Sequence, residues 1–186
     1  MKRSVWLVVG VVAIALVAFF LLRRGSGEAV AVDFLEEFPR AVERRPNPEA
    51  FSIGEATLAG VTKRALVVEN PGGTRAKYSV TVPDNGALRV SLGIREAGWT
   101  VAGDGVLFRV LLGAGAPPEE ILNLVINPYG NPADRKWQDI ELDLSEYAGE
   151  TVDILFNTNS SPATRPPTDN REGDLAVWGE PRLVAR

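Results

Sequence analysis

The sequence contains no cysteine and no histidine among its 186 residues. This excludes disulfide frameworks, zinc sites with Cys or His ligands, cysteine nucleophiles and histidine-based catalytic triads. Of the common catalytic chemistries, carboxylate chemistry of the glycosidase type is the one left readily available. No spacing in the sequence places two carboxylates for that chemistry, so we expect a protein that is not an enzyme.

Basic residues are outnumbered as well. The chain has 20 Lys and Arg against 24 Asp and Glu, a formal net charge of −4. The charged residues before position 25 are all positive, namely Lys2, Arg3, Arg23 and Arg24, so the rest of the chain is more acidic than this total. Binding to a phosphate backbone needs a basic surface. We therefore expect no nucleic-acid partner.

The longest uncharged run covers residues 4–22, which are 19 residues rich in Val, Ala and Leu. A helix of this length, at about 1.5 Å per residue, matches a bilayer core of about 30 Å. We predict one uncleaved transmembrane anchor over residues 1–24. Flanking positive charge favours a cytoplasmic N-terminus, which would place the bulk of the chain on the extracytoplasmic side of the cytoplasmic membrane. The alternative is a cleaved signal peptide, because residues 29–31 (Ala-Val-Ala) resemble a cleavage site.

Residues 25–50 are predicted to be a linker that contains a short helical segment. The helix would cover residues 33–45, with Asp33 as its N-cap and Phe34, Leu35 and Phe38 on one side. We expect this apolar side to pack on the following domain.

From residue 51 onwards apolar and polar residues alternate, as in strands with one buried and one exposed face. The alternation is clear over residues 88–94, 106–112, 140–144 and 152–156. At least eight short strands, separated by turns rich in Gly and Pro, predict an all-β domain over residues 51–186. The fold class is therefore a jelly-roll β-sandwich preceded by one N-terminal transmembrane helix.

The stretch from Trp137 to Thr158 carries the clearest strand pattern. Two alternating runs flank a turn over residues 145–150, in which Gly149 is free to adopt a positive φ. The two runs form either a hairpin or two strands that face each other across the sandwich. The sequence leaves both alternatives open.

Two motifs resemble a known family. Asp143 to Gly149 reads D-L-S-E-Y-A-G, and Ala176 to Leu183 reads A-V-W-G-E-P-R-L. Together with the alternating segments at residues 82–94 and 103–110, these motifs resemble the galactose-binding-like β-sandwiches. They are most similar to the carbohydrate-binding-module-like jelly-roll domains of bacterial envelope proteins. The resemblance covers residues 51–184. It implies non-catalytic recognition of a glycan or an envelope polymer. The alternative is a protein-interaction subunit of a membrane complex with no sugar ligand.

Aromatic residues are the first candidates for a sugar site, because sugars stack on aromatic rings. We expect Trp137 and Trp178 to pack in the core between the sheets, since large rings supply much of a core's buried area. Trp99 follows Gly98 near a strand end, and Tyr129 lies in a loop rich in Pro and Gly. These two residues are the predicted ligand-binding aromatics.

The loop around Tyr129 also offers two amides, those of Asn127 and Asn131. A ring with neighbouring amides is the composition that a sugar site needs, although asparagine is also an ordinary turn residue. We predict that Trp99, Tyr129, Asn127 and Asn131 form the ligand-binding set.

A structural calcium ion is implied by the resemblance, because related sandwiches often hold one between loops. The candidate ligands are Asp104, Asp174 and Glu180, which would have to converge from separate loops. No D-x-D-x-D-G calcium loop is present, and a solvated acidic rim is the alternative explanation. No other cofactor is expected.

Overall fold

The computed structural model describes residues 28–69, 72–113, 117–160 and 171–186. In these ranges the chain forms antiparallel strands joined by loops and short 3-10 turns. The strands are β1 (Ala29–Asp33), β2 (Glu43–Arg45), β3 (Phe51–Leu58), β4 (Val61–Val68), β5 (Gly72–Thr81), β6 (Gly86–Ile94), β7 (Val106–Gly113), β8 (Glu119–Ile126), β9 (Gln138–Asp143), β10 (Thr151–Asn159) and β11 (Ala176–Ala185).

The strands form two sheets that face each other. Sheet I has the order β3-β4-β11-β6-β9, and β1 also pairs with β11. Sheet II has the order β2-β5-β10-β7-β8. The predicted all-β sandwich is confirmed. Strands β9 and β10 lie in different sheets, so the two runs around the 145–150 turn face each other across the sandwich and do not form a hairpin. Gly149 has the positive φ that this turn requires, +80°.

The core lies between the sheets, and Trp178 of β11 is at its centre. The indole is fully buried and makes edge-to-face contacts with Phe108 and Phe156 of sheet II, each at a centroid distance of 5.1 Å. Such contacts stabilise a core beyond the apolar area that they bury. The alternating residues of β6 add Leu88 and Leu92, as the sequence predicts.

Trp137 is buried in an apolar core cluster, as expected, but this cluster does not lie between the sheets. Its ring is 7% exposed but belongs to a separate apolar cluster with Leu58, Ala65 and Val177 on the outer face of sheet I. The indole Nε1 donates a hydrogen bond to the Val61 carbonyl at 2.9 Å. A tryptophan just before an edge strand can fold onto either face of a sheet, and the alternation of β9 does not determine which.

Residues 29–45 belong to the sandwich and not to a linker. Strand β1 pairs with β11, and β2 pairs with β5. The helix predicted over residues 33–45 is reduced to one 3-10 turn, Phe38–Arg40, because Pro39 cannot donate the backbone hydrogen bond of a longer helix. Asp33 does not cap this 3-10 turn, whose N-cap position is Glu37; its Oδ1 accepts a hydrogen bond from the Leu35 N–H at 2.9 Å in the preceding loop. The predicted apolar side does pack on the domain, since it is buried in the main core: Phe34, Leu35 and Phe38.

The predicted transmembrane anchor, residues 1–24, lies outside the described residues. Within the part of the chain that is described, no helix has the length and apolar character needed to cross a bilayer.

Candidate functional site

Three loops meet at one end of the sandwich, here called the loop end. They cover residues 95–105 after β6, 127–137 after β8 and 171–175 before β11. Gly98 and Gly173 touch so closely that a Cβ added to Gly98 would lie 2.2 Å from the Gly173 carbonyl oxygen. The Arg135 guanidinium joins the first two loops by donating to the carbonyls of Pro128, at 2.9 Å, and Trp99, at 3.4 Å.

Tyr129 is the exposed aromatic of the loop end, with 50% of its surface accessible. It borders a narrow cleft of about 10 Å³ with Asn127 and Asp174. A cleft of this size holds about one water molecule. Tyr129 therefore offers a flat platform and not a pocket.

The two predicted amides are already used within the protein. Asn127 Nδ2 donates to the Gly103 carbonyl at 3.2 Å, and its Oδ1 accepts from the Gly130 N–H at 2.9 Å. Asn131 Oδ1 accepts from the Ala133 N–H at 3.2 Å, and its Nδ2 donates to Asp134 at 3.0 Å. Both asparagines thus hold the loop in shape, the turn chemistry that the sequence left open as an alternative.

Trp99 is half-buried and contacts both apolar clusters. Its Nε1 donates to the Ile94 carbonyl at 2.7 Å. The one polar atom of the indole is therefore occupied, and Trp99 supports the loop end from beneath.

The three predicted metal ligands do not come together. Asp104 and Asp174 are close enough to interact electrostatically, whereas Glu180 borders a different cavity, described below. Among residues 28–69, 72–113, 117–160 and 171–186, no group of three acidic side chains is arranged to hold a metal ion.

Asp174 is the most unusual carboxyl of this group. It is 4% exposed, and its Oδ2 has no hydrogen-bond partner in the described part of the chain. Burial raises the pKa of Asp174 to about 7; the negative charge of Asp104 adds to the rise, and Arg171 opposes it. A proton, or a cation bound at high pH, would neutralise this buried carboxylate.

A groove of about 380 Å³ lies on the outer face of sheet I and is here called the sheet I groove. Its volume falls within the range typical of small-ligand sites. Strands β1, β4, β6, β9 and β11 all contribute to it. Its polar lining includes Lys63, Arg89, Ser91, Asp139, Glu141 and Glu180.

Strand register explains why charged groups converge in the sheet I groove. Directly opposite residues of antiparallel strands point to the same face. Arg89 of β6 lies opposite Arg182 of β11 and Glu141 of β9, and Arg182 lies opposite Asp33 of β1. The two arginines are thus flanked by an acid on each side. Arg89 donates to Glu141 at 2.9 Å and also to Glu28.

A second polar group in the groove joins three strands. Lys63 Nζ donates to Ser91 Oγ and to Asp139 Oδ1, both at 2.6 Å, and Ser91 Oγ donates to the same Asp139 oxygen at 2.6 Å. The hydrogen bond from Lys63 holds the pKa of Asp139 below its usual range, and the bond from Ser91 adds to this effect. Lys63 also lies over the Trp137 ring, at 5.6 Å from the centroid, an attractive cation–π geometry.

Glu180 enters the groove from a β-bulge. The register between β11 and β6 shifts between Gly179 and Arg182, and Glu180 has a φ of +43°. A non-glycine residue in this region is strained, and such strain is frequent at ligand sites. The bulge moves the Glu180 side chain out of the regular alternation of the strand.

Sequence reasoning missed the sheet I groove. Its lining residues run from Glu28 to Val184 and come from five strands and from Glu28, just before β1. The bulge is the one part of this groove that the sequence indicates, because Gly179-Glu180-Pro181 interrupts the alternation of β11.

Comparison with known proteins gives one sequence relative and a set of structural neighbours. No protein-family model matches the chain. An uncharacterised protein of Archaeoglobus fulgidus is 38% identical over 105 residues, which are 56% of this chain and 25% of that protein. The chain therefore spans about a quarter of this relative's length.

Among solved structures, a family 61 carbohydrate-binding module in complex with β-1,4-galactotriose superposes with a TM-score of 0.50. The match has 12% sequence identity and covers 83% of this chain and 94% of the module. A second match includes a family 51 module of Clostridium perfringens ZmpB, with 11% identity and a TM-score of 0.48, and it covers 86% of this chain and 30% of that protein. The fold is thus that of the jelly-roll carbohydrate-binding modules, as the sequence motifs predict. At these identities the similarity concerns the fold alone.

Proposed function

We propose that this chain is a non-catalytic binding module that recognises a neutral glycan or envelope polymer in the sheet I groove. The observation that carries the proposal is the groove itself, because its volume is that of a ligand site and its walls present donors beside acceptors. The fold that the chain shares with a galactotriose-bound module supports the same class of ligand. Because fold alone does not determine function, the proposal rests mainly on the chemistry of the groove.

The charges of the groove favour a neutral, hydroxyl-rich ligand. Lys63, Arg89 and Arg182 are each within ion-pair distance of a carboxylate. A charged ligand would have to break these pairs, whereas a sugar hydroxyl can accept from the cation and donate to the carboxylate of one pair. Val30, which is 53% exposed and lies opposite Val184 of β11, adds apolar surface for the C–H groups of a sugar ring.

The same geometry favours binding over catalysis. Ser91 and Lys63 are in hydrogen-bond contact, an arrangement that can activate a serine when the lysine is neutral. Here Ser91 Oγ accepts a hydrogen bond from Lys63 and donates its own proton to Asp139 Oδ1. The serine proton therefore does not point at the lysine nitrogen, and Lys63 is not placed to act as its base.

The cellular location is part of the proposal. If residues 1–24 form the predicted anchor, the sandwich is displayed on the extracytoplasmic side of the cytoplasmic membrane, where envelope polymers are found. The runner-up function is a protein-interaction subunit of a membrane complex. Such a subunit would be marked by a contiguous apolar patch larger than a few hundred Å², whereas exposed apolar residues such as Val42 and Val61 lie at separate places in the fold.

A glycan array probed with the full-length protein in detergent tests the proposal. Arg89→Ala removes a groove donor and breaks two exposed ion pairs, so it should leave the fold intact. We expect it to weaken glycan binding by about tenfold, as expected for loss of a charged hydrogen bond. The matched control is Arg64→Ala, which removes an exposed arginine paired with Glu36. The absence of any bound glycan, or equal binding by both variants, would contradict the proposal.

The loop end is the second candidate location, because Tyr129 remains an exposed ring. Tyr129→Ala on the same array separates the two locations. Loss of binding in Tyr129→Ala with unchanged binding in Arg89→Ala would move the site to the loop end. Recovery of one stable protein partner from detergent, without any glycan binding, would favour the runner-up function.

A further inference from the structure

The outer face of sheet II carries a transverse row of arginine and asparagine side chains that the proposed function does not use. Arg45 of β2 lies opposite Arg75 of β5, and Arg75 lies opposite Asn157 of β10. Asn157 lies opposite Arg109 of β7, which in turn lies opposite Asn123 of β8. These five residues, here called the arginine row, cross the whole width of the sheet.

The row points away from the core. One position along each strand from the row, Ala76, Phe156 and Val110 lie opposite one another. All three are buried in the main core. Successive residues of a strand point to opposite faces. The arginine row therefore lies on the outer face of sheet II, on the opposite side of the sandwich from the sheet I groove.

Arg45 and Arg75 are a like-charged cross-strand pair, which is unfavourable for folding. The arginines of sheet I are also opposite each other, but carboxylates flank them on both sides. In the row, Arg45 pairs with Glu43 at 2.6 Å, while Arg75 forms no ion pair with any described residue. An anion bound between the two guanidinium groups would relieve the repulsion.

Arg109 is held in place for a ligand by a buried amide. Asn157 is 3% exposed and is fixed by donating to the Thr74 carbonyl at 2.7 Å. Its Oδ1 accepts from Arg109 Nε at 2.9 Å. The Nη groups of Arg109 remain near the surface, where Nη1 lies 3.6 Å from Glu120. Such a fixed guanidinium loses little side-chain entropy when it binds.

We propose that the arginine row binds the carboxylate or sulfate groups of an extended acidic polysaccharide. Guanidinium groups recognise planar or tetrahedral oxyanions through paired hydrogen bonds. Adjacent strands are roughly 4.8 Å apart, so Arg75 and Arg109, two strands apart, can contact anionic groups about 10 Å apart on one chain. Asn123, exposed at the end of the row, can bond a hydroxyl.

A nucleic acid fits this surface less well. Glu43 and Glu120 flank the row, and the whole chain carries a net charge of −4. A phosphate on every nucleotide would meet these carboxylates and has no proton to donate to them, whereas each ring of an acidic polysaccharide also carries neutral hydroxyl groups that can donate hydrogen bonds to Glu43 and Glu120. The row itself contains no aromatic residue on which bases could stack.

The experiment uses the full-length protein in detergent at low salt, with polygalacturonate as the acidic probe. Dextran and single-stranded DNA are the comparison polymers, and titration calorimetry measures affinity. Arg75→Gln is the test variant because Arg75 is exposed and forms no ion pair with a described residue. Arg40→Gln is the matched control, since it removes one exposed arginine from a short 3-10 turn outside the row.

We expect wild type to bind polygalacturonate and not dextran at this face, with affinity falling as salt is added. Arg75→Gln should weaken this binding by about tenfold, and Arg40→Gln should not. Without ligand, Arg75→Gln should melt at a higher temperature than wild type, because the repulsion with Arg45 is removed. This second measurement distinguishes a ligand-binding residue from a structural one.

Three outcomes would overturn the inference. They are no binding of polygalacturonate by wild type, equal binding by the two variants, and a lower melting temperature for Arg75→Gln. Tighter binding of DNA with the same dependence on Arg75 would instead assign the row to a nucleic acid. The test is independent of the sheet I groove, because Arg89→Ala should leave polygalacturonate binding unchanged.

Discussion

Trp137 lies directly on Gly179, with no room for a side chain between them. A Cβ added to Gly179 would lie 2.9 Å from Cζ3 and 3.1 Å from Cη2 of the indole. Gly179 lies in β11, so the outer apolar cluster and the main core are built on the two faces of one strand. The Lys63 ammonium also lies over the Trp137 ring. The shape of the sheet I groove therefore depends on this contact.

We expect Gly179→Ala to destabilise the protein by about 1–3 kcal/mol, the usual cost of overpacking a close contact. Chemical denaturation followed by tryptophan fluorescence would measure the change. Gly54→Ala is the control, because a Cβ added at Gly54 meets nothing within 4 Å. A Gly179→Ala protein as stable as the control would show that the indole moves away at little cost.

The stability of the protein should fall as pH rises through the range set by Asp174. Its folded-state pKa is about 7, above the usual value of 3.8, so the folded state binds more protons than the unfolded state between about pH 4 and pH 7. Stability is therefore lost as pH rises through this range. At pH 8 the charged form costs at most about 4 kcal/mol.

Asp174→Asn should remove this pH dependence and stabilise the protein at pH 8, as measured by thermal melting at several pH values. Glu55→Gln, a change at an exposed residue of β3, is the control. If millimolar calcium stabilises wild type at pH 8 but not Asp174→Asn, a cation takes the place of the proton. An unchanged pH profile in Asp174→Asn would contradict the assignment.

Trp99 and Tyr129 should behave differently when each is changed to alanine. Trp99→Ala removes a half-buried indole and its hydrogen bond to Ile94, which should cost about 3 kcal/mol of stability. Tyr129→Ala removes an exposed ring and should cost less than about 0.5 kcal/mol. Denaturation of both variants tests the difference. Equal losses would mean that Tyr129 supports the loop end as Trp99 does.

Phe34→Ala should destabilise the sandwich by about 3–5 kcal/mol, as for other buried aromatic residues. Phe34 is fully buried and makes edge contacts with Tyr78 at 4.9 Å and Phe156 at 5.2 Å. Val42→Ala, at a position 61% exposed, is the control in the same segment. A small loss for Phe34→Ala would return residues 28–40 to the linker that the sequence predicts.

Alternation alone predicted the main strands, because successive residues of a strand point to opposite faces and this depends only on local sequence. Leu88 to Ile94 and Ile140 to Leu144 alternate; the first run lies in β6, and the second lies in β9 up to Asp143, with Leu144 buried just after it. The rule does not identify the face onto which a residue outside a strand folds, and so it placed Trp137 wrongly. It also does not show that β1 joins the sandwich, because Phe34 becomes a core residue only when distant strands cover it.

The candidate site was harder to predict. Asparagines in a loop suit both a sugar site and a turn, and the turn role of Asn127 and Asn131 becomes visible only from their hydrogen bonds in the folded chain. The sheet I groove and the arginine row depend on strand register, which places Arg89 beside Arg182 and Arg45 beside Arg75. Register depends on contacts between distant parts of the chain, so it cannot be predicted from composition or from local residue spacing.

Because of the bulge at Glu180, two strands pair one after the other with the same edge of β11. Strand β4 pairs with residues 177–179, and β1 pairs with residues 182–185. If β1 were removed, this second part of β11 would present unsatisfied backbone groups along an open flank. Truncation just before Phe34 should therefore favour strand exchange between molecules and higher-order association.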